Sequence, residues 1–318
     1  MSSTIDSAEV SKASARLTAG QLVVFPTETV YGLGADARND QAVRQIYALK
    51  GRPLGHPLIV HLASAKQMTA WARAIPAIAW TLADAFWPGP LTLIVPRAHG
   101  VSDVITGGQD SVGLRVPAHP VAQALLHEFG GGVAAPSANR YGRVSPTCVA
   151  HVHDEFGGAT PFVLDGGDCQ IGLESTIISV LDAPLLLRPG GVSREALEAI
   201  IGPIRIAQAG EGPKAPGMTH MHYAPSTPLR WMATRDLPAV ADGTVAVLAR
   251  RPKPLGFTGH WLEASTDPIQ YGHDLYAQLR QLDRVGARTI LIESVPQGAA
   301  WEAIADRLGR AAATHQNT

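Results

Sequence analysis

The sequence predicts an α/β protein with a mixed sheet, followed by a second, smaller α/β domain. Between residues 22 and 201, short apolar runs typical of strands alternate with segments of helical periodicity. The runs at 175–180 and 184–188 lie too close together for a helical crossover and therefore predict an antiparallel pair. Residues 209–228 are rich in Pro and Gly, and strand and helix patterns resume after them. We therefore expect two α/β domains and a linker.

Each predicted element rests on a local pattern. Apolar runs predict strands at 22–25, 57–62, 91–95, 112–116, 132–136, 161–165, 175–180 and 184–188. Amphipathic spacing predicts helices at 42–49, 76–86, 121–129 and 194–201. After the linker, strands are predicted at 228–232, 243–250 and 287–294, and helices at 268–285 and 299–313. The predicted bounds are 1–208 for the first domain, 209–228 for the linker and 229–318 for the second domain.

Composition excludes several classes of protein. The chain has 318 residues, 46% hydrophobic and 17% charged, which is enough for packed cores and unlike a disordered protein. The net charge of -1 gives no overall attraction to nucleic acid or to an anionic membrane. Two isolated cysteines, no apolar leader and no membrane-length apolar run together predict a cytoplasmic protein.

The segment 25–34, FPTETVYGLG, carries hydroxyls, a carboxylate and a phenol before paired glycines. Gly32 and Gly34 resemble a dinucleotide fingerprint, but residues 26–31 separate them from the preceding strand. The ribose-binding acid is also missing, because the chain reads Gly-Arg-Pro at 51–53. We instead expect the glycines to turn the chain.

Two further segments carry polar groups at the ends of predicted elements. Lys50-Gly51-Arg52 (KxR) follows a helix on a Gly/Pro-rich loop, where Lys and Arg suit a polyphosphate. The alternative is that the helix dipole attracts both cations. Ser137-Ala138-Asn139 (SxN) follows an apolar strand, where open α/β sheets bind ligands. Turn and helix-cap chemistry is the alternative there.

Arg115 and Arg188 each lie at the end of an apolar strand, which together with Arg52 favours an anionic ligand bearing phosphate and carboxylate groups. The chain contains neither a phosphate-binding P-loop motif nor the nucleophile elbow of serine hydrolases. His151 and His153 are two positions apart in a predicted helix and do not share a face. No dedicated metal site is predicted.

Taken in order, FPTETVYGLG, KGRPLGHPLIVH, SVGLRVP, APSANRYGRVSPT, ESTII and LRPGGVS resemble the YrdC-like family, specifically its threonylcarbamoyl-AMP synthases. The resemblance covers most of residues 15–205, and the linker and the segment GAAWEAIADRLGRAA resemble the two-domain branch. It implies a YrdC-like domain with a twisted, mixed, largely open sheet and flanking helices. It also implies a small Rossmann-like α/β C-terminal domain.

The resemblance implies that L-threonine, bicarbonate or CO2, and ATP react to give threonylcarbamoyl-AMP and pyrophosphate. Mg2+ would be held through the ATP phosphates. The product would pass to downstream tRNA threonylcarbamoyl transferase machinery, and tRNA or double-stranded RNA is a further expected partner. Because nucleotidyl transfer depends on positioning and charge neutralisation, no covalent nucleophile is expected.

Carried over position by position, the resemblance assigns roles to individual residues. The catalytic residues would be Lys50 and Arg52. The ATP contacts would be Arg52, His56, Ser111, Ser137, Asn139, Ser145, Arg188 and Tyr223, the last folding back from the linker. The L-threonine contacts would be Thr27, Thr29, Tyr31, His61, Arg115, Ala135 and Ser175. Many members carry Asn where this chain has His56, and the acid at Glu28 receives no role.

Two other functions compete with this prediction. A carbamoyltransferase of the hydrogenase-maturation type also contains a YrdC-like unit, but such chains are much longer and carry zinc-finger cysteines. A double-stranded RNA or tRNA binding module would need many phosphate contacts, whereas the basic residues placed here belong to small-molecule motifs.

Overall fold

The computed structural model describes residues 6–208, 210–218, 222–237 and 243–313, which form two compact units. The first unit comprises Met1–Tyr141, Pro146–Gln170 and Glu174–Met218, and the second comprises Gly142–Ser145, Ile171–Leu173 and Thr219–Thr318. The predicted linker is divided between them, and its residues 209 and 219–221 lie outside the described part of the chain. No described helix has the length and apolarity needed to cross a membrane.

The first unit alternates strands and helices as the sequence predicts. Its strands are β1 (Val23–Phe25), β2 (Gly32–Asp36), β3 (Ile59–His61), β4 (Leu91–Pro96), β5 (Ser111–Arg115), β6 (Val133–Ala134), β7 (Phe162–Val163), β8 (Thr176–Ser179), β9 (Leu185–Arg188) and β10 (Arg205–Ile206). Its helices are α1 (Ser7–Thr18), α2 (Asp40–Lys50), α3 (Ala77–Phe86), α4 (Asp103–Thr106), α5 (Pro120–Phe129), α6 (Val149–Phe156) and α7 (Arg194–Ile201).

These strands form one ten-stranded sheet in the order β10-β9-β8-β4-β5-β3-β6-β2-β1-β7. The predicted pair β8 and β9 is antiparallel, whereas β3 runs parallel to β5 and β4 runs parallel to β8. The predicted mixed sheet is therefore confirmed. A short turn allows only an antiparallel neighbour, while the parallel pairs need longer connections.

The two faces of this sheet differ because successive side chains of a strand point to opposite sides. On the first face, apolar residues such as Leu93 and Leu114 pack in one core with residues of α2, α3 and α7. On the second face, α1 and α5 cover only the side near β1 and β6. The remainder of the second face carries Ile59 and Ile94 together with polar residues, and it is the site face described below.

Gly32 and Gly34 lie in strand β2 and not in a turn, so the expectation for the glycines was wrong. A Cβ at Gly34 would lie 2.8 Å from both Phe25 Cε1 and Val133 Cγ1. Strands β1 and β6 flank β2, and the aromatic ring occupies the space that a side chain would need. Glycine is therefore required by cross-strand packing.

The second unit contains a four-stranded parallel sheet with order β11-β14-β12-β13. Its elements are β11 (Leu229–Met232), β12 (Val245–Ala249), β13 (His260–Glu263), α8 (Pro268–Asp283), β14 (Thr289–Glu293) and α9 (Ala299–Ala313). An all-parallel sheet in which α8 connects β13 to β14 agrees with the predicted small Rossmann-like unit.

Part of the predicted linker belongs to the first unit. Ala215 is buried in an apolar cluster on the site face that includes Ile177 and Leu187. Lys214 exchanges hydrogen bonds with the side chain of Gln109, at 2.6 Å and 3.0 Å. Residues 210–218 therefore pack against the rest of the first unit, and we call this segment the strap.

Candidate active site

Lys50 ends α2 and is only 3% exposed. Its Nζ donates to the carbonyl oxygen of Ser137 at 2.6 Å and to that of Asn139 at 2.5 Å. Burial and then the charge of Arg52 lower the pKa of Lys50 well below its usual range, against the opposing charge of Glu155. The structure thus joins the KxR and SxN segments, which are far apart in the sequence.

Arg52 lies beside the same loop. Its Nη2 donates to the carbonyl of Pro57 at 2.9 Å, and its guanidinium lies 5.8 Å from the centre of the Tyr141 ring. The hydroxyl of Tyr141 is 3.2 Å from Nδ1 of His56. Burial and the Arg52 charge lower the pKa of His56. Tyr141 was not predicted as a site residue, although its position directly after the SxN loop was a usable signal.

A row of polar side chains crosses the site face on neighbouring strands. His61 on β3 is paired with Arg115 on β5. The register of β4 against β5 places Thr92 opposite Arg115. The hydroxyl of Ser175, just before β8, lies 2.8 Å from that of Thr92. Arg188 on β9 donates through Nη2 to the carbonyl of Ser175 at 2.8 Å and to its hydroxyl at 3.1 Å. We call these five residues the polar row.

The polar row unites residues predicted for L-threonine with one predicted for ATP. Ser111 has the same strand parity as Arg115 and so lies on the same face of β5. Between them is Gly113, where a Cβ would approach Ile94 Cδ1 to 3.1 Å. Thr92 was missed by the sequence analysis, although it interrupts the apolar run of residues 91–95.

His61 is a buried, neutral imidazole. Burial and then the charge of Arg115 lower the pKa of His61 to about 3, against the opposing effect of the backbone at Ile59 and Val133. Its Nδ1 is buried and meets no hydrogen-bond partner among the described residues. Buried polar atoms are normally hydrogen-bonded, so this nitrogen is available to a ligand or a water molecule.

Arg115 forms a buried ion pair with Glu28, at 2.7 Å between Nη2 and Oε1. The other carboxylate oxygen of Glu28 accepts from the backbone N–H of Ala118 at 3.0 Å. Nε of Arg115 donates to the carbonyl of Gly89 at 3.3 Å. Glu28, which has no role predicted from the sequence, therefore holds Arg115, a predicted substrate contact.

The FPTETV segment forms a turn around the hydroxyl of Thr27. That oxygen accepts from the N–H groups of Thr29 at 3.1 Å and Val30 at 3.2 Å, and it donates to the Val30 carbonyl at 2.7 Å. The hydroxyl of Tyr31 instead donates to the carbonyl of Gly167 at 2.7 Å. Thr27 and Tyr31 thus use their hydroxyls within the chain, and Thr29 lies 2.7 Å from Thr27, oxygen to oxygen.

The other predicted contacts lie in both units. The N–H of Ala135, directly after β6, donates to the carbonyl of Ile59 at 3.0 Å. Ser145 belongs to the second unit and is fully buried there. Tyr223 is also in the second unit, stacked 6.0 Å from Tyr276 and 5.0 Å below the guanidinium of Arg307.

A cavity of about 940 Å³ opens elsewhere on the first unit, beside Trp71. Its lining includes Arg73 and Arg97, but Asp103 and Asp110 form ion pairs with these cations. The paired charges leave it less suited to an anion than the polar row. We therefore place the candidate site at the polar row and not at this cavity.

The fold and the site define an α/β protein whose mixed sheet carries a row of buried cationic and hydroxyl side chains on one face, a chemistry that suits an anionic small molecule. Two known protein families match this chain, one over each part. Residues 15–190 match the Sua5, YciO and YrdC family, described as telomere recombination. Residues 192–313 match the threonylcarbamoyl-AMP synthase C-terminal domain.

Named relatives extend the likeness over most of the chain. The threonylcarbamoyl-AMP synthase of Pyrococcus abyssi is 42% identical over 92% of this chain and 90% of its own length. That of Bacillus subtilis is 39% identical over 96% of this chain and 93% of its own length. The crystal structure of P. abyssi Sua5 complexed with L-threonine superimposes with a TM-score of 0.91 at 38% identity, over 98% of this chain and 96% of that one. The chain belongs to the threonylcarbamoyl-AMP synthase family.

Proposed function

We propose that this chain joins L-threonine, CO2 or bicarbonate, and ATP into threonylcarbamoyl-AMP. The threonine amine attacks CO2, and the amine loses its proton as the carbamate forms. A carbamate oxygen then attacks the α-phosphorus of ATP, and the bond to the β,γ-diphosphate breaks with release of pyrophosphate. Membership of the family supports this reaction over an RNA-binding module without adenylate-forming activity.

The polar row is the observation that carries the proposal. An amino-acid carboxylate fits Arg115, and a phosphate fits Arg188, because a guanidinium keeps its positive charge and attracts both kinds of anion. Since these arginines lie on one face with Thr92 and Ser175 between them, the two substrates would meet over β4 and β8. Such a meeting converts a reaction between separate molecules into one between held groups.

His61 suits the amino-acid half of the site. A neutral imidazole with a buried, unbonded nitrogen can exchange a hydrogen bond with the hydroxyl or amine of threonine. Because the pKa of His61 is lowered to about 3, it adds no positive charge beside Arg115 at neutral pH. We propose that Thr29, Ser175 and the carbonyl of Ala135 complete the threonine contacts.

The nucleotide half would use the KxR and SxN segments. Lys50 holds the SxN loop, and Arg52 neutralises the phosphate charge that develops as pyrophosphate leaves. His56, Ser111, Ser137 and Asn139 are proposed as further ATP contacts. Ser145 and Tyr223 remain proposals from the family pattern alone.

Mg2+ is proposed to enter with the ATP phosphates. No group of three or more His, Cys, Asp or Glu side chains in the described part of the chain is arranged to hold a metal ion. Metal bound through phosphates would neutralise their charge. The donors named above, being cations, hydroxyls and amides, suit phosphate oxygens and not a cation.

Pyrophosphate release tests the function directly. Purified protein with ATP, Mg2+, bicarbonate and L-threonine should release pyrophosphate, and omission of threonine should abolish the release. Equal release with serine, or without any amino acid, would contradict the substrate assignment. Arg52→Ala should reduce turnover severely, by about a hundredfold or more, because charge stabilisation in the transition state is lost.

Two partners extend the proposal. A tRNA threonylcarbamoyl transferase would consume the product, since an acyl phosphate needs an acceptor amine. Direct binding of tRNA or double-stranded RNA would show as an affinity that falls steeply with salt. We propose a cytoplasmic setting, in which Cys148 and Cys169, free in this structure, stay reduced.

A further inference from the structure

Glu28 is one of the most enclosed acids of the first unit. The side chains of Glu28 and Arg115 are only 4% and 5% exposed. A buried ion pair gains little net stability over apolar residues, because both charges lose their hydration. Its presence on the site face therefore points to a use for the oriented charge.

The backbone that carries Glu28 is fixed on both sides. The hydroxyl of Thr27 binds the N–H groups of Thr29 and Val30 and so closes the turn around Glu28. The carboxylate is then held by Arg115 through one oxygen and by the N–H of Ala118 through the other. Neither oxygen can rotate away without losing a hydrogen bond.

The guanidinium is fixed along a second direction. Nε of Arg115 donates to the carbonyl of Gly89, and the N–H of Gly89 donates to Val116 at 2.8 Å, which holds that carbonyl in place. A Cβ at Gly89 would lie 2.2 Å from the carbonyl oxygen of Phe86. Only glycine therefore fits at this position of the backbone. Nε and Nη2 are thus both engaged by rigid groups.

The remaining terminal nitrogen has a different environment. Among the described residues, nothing accepts a hydrogen bond from Nη1 of Arg115. The neighbouring strand carries His61 opposite Arg115, so both side chains lie on the same face of the sheet. Nη1, with neither of its N–H groups used, is therefore the terminal nitrogen open to an incoming anion.

We propose that Glu28 is a positioning residue that aims Nη1 of Arg115 at the carboxylate of the amino-acid substrate. This inference rests on the proposed function, because it takes Arg115 as the carboxylate contact. Glu28 also balances the charge of Arg115. A role confined to stability would instead affect both substrates alike.

Glu28→Gln is the principal variant, because it keeps the shape but offers only one acceptor oxygen to two donors. Threonine is titrated at saturating ATP, and ATP at saturating threonine, with pyrophosphate release as the readout. The KM for threonine should rise about tenfold, the equivalent of one lost hydrogen bond to a charged group, with the KM for ATP within about twofold. An equal change in both constants, or no change in either, overturns the proposal.

L-Threoninamide, which lacks the carboxylate, separates positioning from general damage. By calorimetry, the wild-type chain should prefer threonine to threoninamide strongly, and Glu28→Gln should reduce that preference about tenfold. An unchanged preference would overturn the proposal. Asp103→Asn removes an exposed acid paired with Arg97 at 2.5 Å and should leave the preference unchanged. A loss of preference in this control variant would overturn it as well.

A double-mutant cycle covers the case in which Glu28→Gln loses stability. If Glu28 acts through Arg115, the Glu28→Gln change should have no further effect on threonine affinity in an Arg115→Gln background. Independent effects would overturn the proposal. Wild-type chain that binds threonine without releasing pyrophosphate would contradict the proposed function alone. Wild-type chain that binds no threonine would overturn both.

Discussion

Lys50 binds two carbonyls of the SxN loop, and this gives a first prediction at the residue scale. Lys50→Met keeps the length of the side chain but leaves both buried carbonyls without their donor. We expect the KM for ATP to rise about tenfold and the free energy of unfolding to fall by about 1–3 kcal/mol. Lys66→Met, at an exposed lysine, is the matched control. An unchanged KM for ATP in Lys50→Met would refute the role of the loop.

His61 gives a prediction about pH. Because its folded pKa is lowered to about 3, the unfolded chain binds one more proton than the folded chain between that pH and about 6.5. Stability should therefore fall as pH falls through this window, with His61 contributing up to about 1.4 kcal/mol per pH unit. Urea unfolding of the wild type and of His61→Gln at pH 7.5 and 5.5 measures this loss of stability. The variant should lose less stability on acidification, and an equal loss would contradict the assignment.

Sequence motifs predict candidate site residues but not the hydrogen bonds between them. KxR and SxN were each visible, whereas the bond from Lys50 to the SxN loop depends on the fold. Glu28 and Arg115 are likewise far apart in the chain. Glu28 lies in a turn and Arg115 at the end of β5, and no sequence pattern predicts that these two places meet. Only spatial proximity gives Glu28 a role.

At the scale of elements, a substitution at Gly34 tests whether packing against the neighbouring strands requires glycine in β2. Gly34→Ala would push a Cβ to 2.8 Å from both Phe25 and Val133, so neighbouring strands must shift. We expect the free energy of unfolding to fall by about 1–3 kcal/mol, as for other overpacked sites. Gly158→Ala meets no atom within 4 Å and is the control. Equal stability of Gly34→Ala and wild type would show that packing does not require glycine there.

Predicted elements succeeded where the pattern was strongly apolar or strongly periodic. The pair β8 and β9 followed from a short connection, and α9 from helical spacing over its full length. Strand β2 was missed because its glycines have no strand propensity, and cross-strand packing outweighs that deficit. Helix α1 was missed because its buried stripe, which includes Val10 and Ala13, is narrow and partly composed of small residues.

At the scale of the whole molecule, no sequence pattern predicts that short interior segments belong to the second unit. Gly142–Ser145 and Ile171–Leu173 lie between stretches of the first unit. Arg143 forms an ion pair with Asp283 of α8 at 3.4 Å, and the N–H of Ala224 donates to Gly142 at 2.9 Å. Such contacts join residues distant in sequence, which local patterns do not encode. They explain why a Pro/Gly-rich linker alone does not mark the boundary.

The strap of residues 210–218 gives the last prediction. Two truncated chains, one with the strap and one without it, measure its contribution to the stability of the first unit. A chain ending at Met218 retains Ala215 against Ile177 and Leu187, and the bond of Arg188 Nη1 to the carbonyl of Pro216 at 2.9 Å. A chain ending at Gln208 loses both. Burial of this apolar surface predicts that the longer chain is more stable to urea by about 1–3 kcal/mol.

Ala215→Asp in the longer chain should abolish that advantage, since a carboxylate would be buried without a partner among apolar side chains. Ala8→Asp, at an exposed position of α1, should preserve it. If the two truncated chains unfold at the same urea concentration, the strap contributes no stability. The site face would then be held by the sheet alone, and the only function left for residues 210–218 would be to connect the units.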